Sequence, residues 1–212
     1  KQYMADYGVD DLRNTPLASD NYGDGSDDDD GNYIPRNGEI ESLRDFATKY
    51  LKVVKECEYV EDDERNSRYN TCLAPVYRRW DNSTYESTLG FGDTSYVLAD
   101  GSVIELTYHG AKEYAGPIDL FVDVNGKKGP NRNGYDWWSM SIYYDGVIDE
   151  GNVGPECRGR IDPKYNNDYL KCEQQSAQER REERFEEFNS CKSGGYGGCF
   201  GHFLNNNFKF DY

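Results

Sequence analysis

Ile118-Asp119-Leu120-Phe121-Val122-Asp123-Val124-Asn125-Gly126-Lys127-Lys128-Gly129-Pro130-Asn131-Arg132-Asn133-Gly134-Tyr135-Asp136-Trp137-Trp138 contains a strand, a turn and the start of a second strand. Ile118, Leu120, Val122 and Val124 alternate with Asp119, Phe121 and Asp123, the period of a half-buried strand. From Asn125 to Gly134 the glycines, the proline and the asparagines exclude both helix and strand. Trp137 to Tyr144 then opens another aromatic-rich run.

Working outward, Tyr96–Ala99 and Ser102–Tyr108 flank Asp100-Gly101, a hairpin signal with a mechanism, since Asp-Gly accepts the positive φ of a tight turn. Residues 95–144 therefore read as a roughly four-stranded antiparallel sheet. Upstream, Ile40, Leu43, Ala47, Tyr50, Leu51 and Val54 fall on one face of a 3.6-residue period and predict a helix over 39–56. Glu39 and Glu41 near its start and Lys52 and Lys55 near its end suit the macrodipole. A helix on one face of an antiparallel meander is an α+β architecture, and 212 residues suit a single domain.

Residues 1–38 read as an irregular acidic segment: Lys1–Gly31 holds nine Asp against two basic residues, including the run Asp27–Asp30. That run reads as a solvated loop or as a calcium-responsive one. Lys1–Tyr7 also fits the tail of a helix. Residues 56–94 are polar and turn-rich, with a glycosylation-type triplet at Asn82-Ser83-Thr84. Residues 145–212 read as a cysteine-stapled region with a helix within 167–189, where Phe185 and Phe188 share a face.

The six cysteines are Cys57, Cys72, Cys157, Cys172, Cys191 and Cys199. No C-x-x-C occurs and only two histidines, His109 and His202, are present, which disfavours zinc. An even count in a polar chain favours disulfides and export. The expected pattern is local, Cys57 with Cys72 and the other four within the C-terminal third.

Composition narrows the partners. A formal charge of −16 opposes phosphate backbones, so nucleic acid is not an expected partner. No apolar run approaches the ~20 residues that span a bilayer. The chain carries no nucleophile elbow, Walker loop, dinucleotide fingerprint or H-E-x-x-H, and no carboxylate pair stands out among 40 acids, so no catalytic residue is assigned.

The Asp123–Asp136 loop begins as a calcium loop does, D-x-N-G, and offers Asp123, Asn125, Asn131 and Asp136 as oxygen ligands. It then departs, with Lys128 where an EF-hand has Gly and Gly134 where it has Glu. Two readings stay open: a calcium site, or a rigid turn whose Asp and Asn bond the backbone.

The core V-D-V-N-G-K-K-G-P-N-R-N-G-Y-D, with the Tyr96–Ser102 hairpin and the Leu43–Lys55 helix, resembles the head region of bacterial type IV pilin-like and type II secretion pseudopilin-like proteins. The likeness covers roughly residues 90–145 well and the rest loosely. It implies a non-enzymatic structural subunit at the cell surface or in the periplasm, with a disulfide-rich C-terminal region. It implies other pilin-like subunits as partners and membrane contact only through an apolar N-terminal helix, with Lys1-Gln2-Tyr3-Met4 resembling the stretch just after it. Some major pseudopilins hold calcium late in the head, so the family also implies calcium as a cofactor here.

The alternative is a secreted adhesin-like module for carbohydrate or protein. Trp137, Trp138, Tyr143 and Tyr144 are its expected binding residues, since such rings stack on sugars. Alternation along the strand sends Trp137 and Trp138 to opposite faces, so one of them is expected in the core.

Overall fold

The computed structural model describes residues 1–18, 37–62, 67–85, 94–108, 118–159, 175–188 and 190–209. The acidic run Asp27–Asp30, His109 and Cys172 lie outside them. The fold is mixed helix and antiparallel sheet. In chain order the elements are α1 (Gln2–Asp6), α2 (Asn37–Tyr50), β1 (Val53–Glu56), β2 (Tyr59–Asp62), β3 (Ser67–Asn70), β4 (Tyr77–Arg78) and β5 (Thr84–Tyr85). Then follow β6 (Thr94–Leu98), β7 (Val103–Tyr108), β8 (Ile118–Asp123), β9 (Trp137–Ile142), β10 (Ile148–Asp149), α3 (Ala177–Glu186) and α4 (Cys199–Asn205).

The sheet has six strands in the order β1-β6-β7-β8-β9-β10, with every neighbouring pair antiparallel. The four expected strands are β6 to β9, and Asp100-Gly101 forms the β6–β7 turn with Gly101 at φ +90°. The edges differ from expectation, with β1 and β10 added on either side. The predicted helix over 39–56 ends at Tyr50, and Val53-Val54 pass into β1, where Val53 pairs with Leu98. β-branched residues favour an extended edge over a helical last turn. Val54, assigned by periodicity to the helix's apolar face, is exposed.

Both faces of the sheet are covered. Tyr96, Ile104, Leu106, Ile118, Leu120, Trp138, Met140 and Ile142 join Leu43 and Ala47 of α2 in one buried cluster. Val103 and Trp137, pointing the other way, join Cys57, Cys72, Leu73, Ala74 and Tyr77 in a second. Cys57 is bonded to Cys72, as expected, with Cα atoms 5.7 Å apart, and the bridge holds Cys72, Leu73, Ala74 and Tyr77 beside Cys57 on that second face.

Residues 1–18 are more ordered than an irregular acidic segment. Tyr3 and Met4 of α1 are buried with Leu12 and Leu17. Tyr3 sits edge-on to Phe46 and Tyr50, and Leu12 N–H donates to the Tyr144 carbonyl at 2.8 Å. The sequence signal was four apolar residues diluted among aspartates. At the other end, α3 opens with a capping box at Ser176 and Glu179, and Cys191 is bonded to Cys199. Cys157 is disulfide-bonded as well. Phe185 is buried, whereas Phe188 is 88% exposed, because α3 ends before completing the turn that would align them.

Candidate functional site

The β8–β9 turn brings all four expected ligand residues together and turns the oxygens of both carboxylates on the protein itself. Asp123 Oδ1 accepts from Asn125 N–H at 3.0 Å, and its Oδ2 accepts from the Tyr77 hydroxyl at 2.7 Å. Asp136 Oδ2 accepts from Asn131 N–H at 2.8 Å and Asn125 Nδ2 at 3.2 Å, while Oδ1 accepts from Arg132 N–H at 2.6 Å. The Asn131 side-chain amide faces the carbonyls of Gly126 (3.1 Å) and Lys128 (2.9 Å), which assigns its Nδ2 as their donor. This is the rigid-turn arrangement, with carboxylates substituting for missing ladder partners. Asn125 Oδ1 is buried without a donor. Among the described residues, no group of three or more His, Cys, Asp or Glu could hold a metal ion.

Burial and its neighbours set the turn's electrostatics. Loss of water raises the Asp123 carboxyl to about 6, against the opposing hydrogen bond from Tyr77. Burial first, then the Asp123 charge, pushes the Tyr77 hydroxyl far above its ordinary range.

The turn is also clamped from outside. Arg78 N–H donates to the Asn131 carbonyl at 2.7 Å and Asn133 N–H to the Arg78 carbonyl at 3.0 Å, so β4 runs beside residues 131–133. The buried Asn133 side chain donates to Gly195 O at 3.0 Å, reaching the cysteine-closed loop. Gly134 sits at φ +77°, and a Cβ there would lie 2.6 Å from the Trp80 ring and 2.8 Å from Cys199 Sγ.

The aromatic residues expected to bind a ligand are interior. Trp137, Trp138, Tyr143 and Tyr144 are 2%, 8%, 2% and 1% exposed. Alternation does send the two tryptophans to opposite faces, but both faces are covered, so neither ring is a platform. Tyr143 hydroxyl donates to the Glu150 carbonyl and Tyr144 hydroxyl to Glu156. His202 stacks on Phe185 with ring centroids 4.1 Å apart and lies 3.3 Å from Glu182 Oε2.

Sequence reasoning missed two features. One is Val76-Tyr77-Arg78-Arg79-Trp80, a short aromatic and basic run inside a region read only as polar. The other is Glu150, wholly buried, with Oε2 accepting Gly201 N–H at 2.9 Å and Oε1 accepting Gly151 N–H at 3.0 Å. Burial raises it to about 7 against those amides.

No protein-family model, curated protein or solved structure matches the chain.

Proposed function

We propose that this chain is a non-enzymatic structural subunit, the globular head of a type IV pilin-like or pseudopilin-like surface filament protein that acts outside the cytoplasm. The observation that carries the reading is the Asp123–Asp136 turn. In the stretch whose sequence resembles that family, both carboxylates and Asn131 bond their own backbone, and Asn133 ties the turn to the Cys191–Cys199 loop. Residues used this way build a stiff head, and disulfides keep exposed loops in place where chaperones are absent. The adhesin-like alternative loses its expected platform, because its four aromatic residues are interior.

The coding sequence of the natural gene tests the proposal. A prepilin-type leader and ~20 apolar residues joined to Lys1 are expected, enough to cross a bilayer as a helix. A cleavable secretory signal ending directly before Lys1 would overturn the filament reading and leave a free secreted module.

A further inference from the structure

In this acidic chain, Arg13, Arg44, Arg158, Arg180, Arg181 and Arg184 each hold a carboxylate in an ion pair. Arg78 and Arg132 do not, among the described residues, although they lie side by side. They are paired across the parallel bridge between β4 and the β8–β9 turn. Paired residues of a bridge project to the same side. Their neighbours Tyr77, Asn131 and Asn133 are buried, so the two arginines occupy the outer row and are half-buried.

Carbonyl oxygens and a ring position them in place of carboxylates. Arg132 Nε donates to Trp80 O at 2.7 Å, its Nη2 donates to the same oxygen, and its guanidinium lies 3.8 Å from the Tyr135 ring centroid. Arg78 Nη1 donates to Asn82 O at 3.3 Å. The nearest acid on the hairpin, Asp81, turns to Ser83, accepting from its N–H at 2.8 Å and its Oγ at 2.6 Å. The charges of Arg79 and Arg132 reach Asp81 only as minor influences behind those bonds. Two like charges in register repel. A guanidinium's remaining N–H groups suit a planar oxyanion.

We propose that Arg78 and Arg132, with the half-buried rings of Tyr135 and Trp80, form a binding site for the carboxylate of an acidic sugar. The rings lie 5.9 Å apart, Tyr135 under Arg132 and Trp80 edge-on to Phe185, and each is half-buried, so what they add beside the arginine pair is an apolar border of the kind a sugar packs against. A singly charged terminal sugar suits the site better than a polyanion. At physiological salt the fixed charge of −16 is screened beyond about 8 Å, so one carboxylate at the arginines escapes most of the repulsion that a long acidic chain would meet. This site does not depend on the filament reading.

The test is an NMR titration of the folded chain with methyl glucuronide, methyl glucoside and acetate. Methyl glucuronide is expected to shift the amides of Arg78, Arg132 and Tyr135, with methyl glucoside at least about tenfold weaker. Arg78→Gln is expected to weaken the glucuronide about tenfold, and Arg78→Lys nearly as much, because lysine keeps the charge and loses the fork. Both variants should keep the parent melting temperature, since Arg78 is in no ion pair among the described residues and its side chain donates only to the Asn82 carbonyl there. Equal binding of the glucoside, equal binding of acetate, or no shift at these amides up to ~50 mM glucuronide would each overturn the proposal.

Discussion

Asp136 accepts from two backbone N–H groups and one side-chain amide, so removing its carboxylate strands donors in a part-buried turn. Asp136→Ala should cost about 2–3 kcal/mol in denaturant unfolding, the usual penalty for such donors; a loss under about 0.5 kcal/mol would mean that water replaces the carboxylate. Gly134→Ala should be at least as damaging, because the φ of +77° and the Trp80 ring both exclude a Cβ. Calcium should leave the melting temperature within about 1 °C of its value in chelator, since the turn's carboxylates already have donors. A rise of several degrees would show that they re-aim onto a cation. At this scale the sequence was informative about which residues gather, because D-x-N-G starts a turn whatever its ligand. It was silent on Tyr77, which meets Asp123 on the second sheet face, where the Cys57–Cys72 bridge and Leu73 and Ala74 also lie.

Among the elements, α3 is the clearest case of charge deciding position. Arg181 Nη2 and Nε donate to Asp149 of β10 at 2.6 and 2.8 Å, and Asp149 is 1% exposed. Arg158 joins them from the turn Pro155–Arg158 and also holds Asp145 at 2.9 Å. Asp149→Ala leaves two half-buried guanidiniums without a shared acceptor and should cost about 3–5 kcal/mol. Hydrogen exchange should then speed up in α3 before it does in β7 and β8. Uniform exchange across these elements would mean that α3 and the sheet open as one unit. The i,i+3 pairs Arg180–Glu183 and Arg184–Glu187 were legible from spacing alone and are formed, at 2.9 and 2.8 Å. The pairing of α3 with β10 was not, because local spacing carries no information about partners thirty residues away. The same limit explains β1 and β10. Val53–Glu56 has helical periodicity as well as β-branched residues, and the partner strand β6 decides between them.

Across the whole molecule, the buried acids Asp123 and Glu150 set the response to pH. Their folded carboxyls titrate at about 6 and about 7, above ordinary values near 4, with burial the main cause in each. The folded chain therefore keeps protons that the unfolded chain gives up above pH ~4. The stability from these groups is complete below that range and is lost as pH rises to about 7. The unfolding free energy from urea titrations should fall between pH 5 and 7.5, by a few kcal/mol at most, and the midpoint with it. Glu150→Gln should flatten that slope even where it lowers the midpoint; an unchanged slope would assign the effect to other groups. The α+β class was legible as a whole, since the helix period, the Asp-Gly hairpin and the alternating strand agreed with one another. What could not be read was that both sheet faces are covered, which buries Trp137 and Trp138 alike where alternation alone puts one of them in the core.

The proposed display of this stiff, disulfide-held head on a surface filament is open to direct observation. Immunogold labelling of native cells with antibody to the folded chain tests it most directly. Gold is expected along filaments at the cell surface, or in the envelope for a pseudopilin-like subunit, with the chain recovered in the sheared or membrane fraction. Recovery of the chain only as a free monomer in the medium, with filaments unlabelled, would contradict that display.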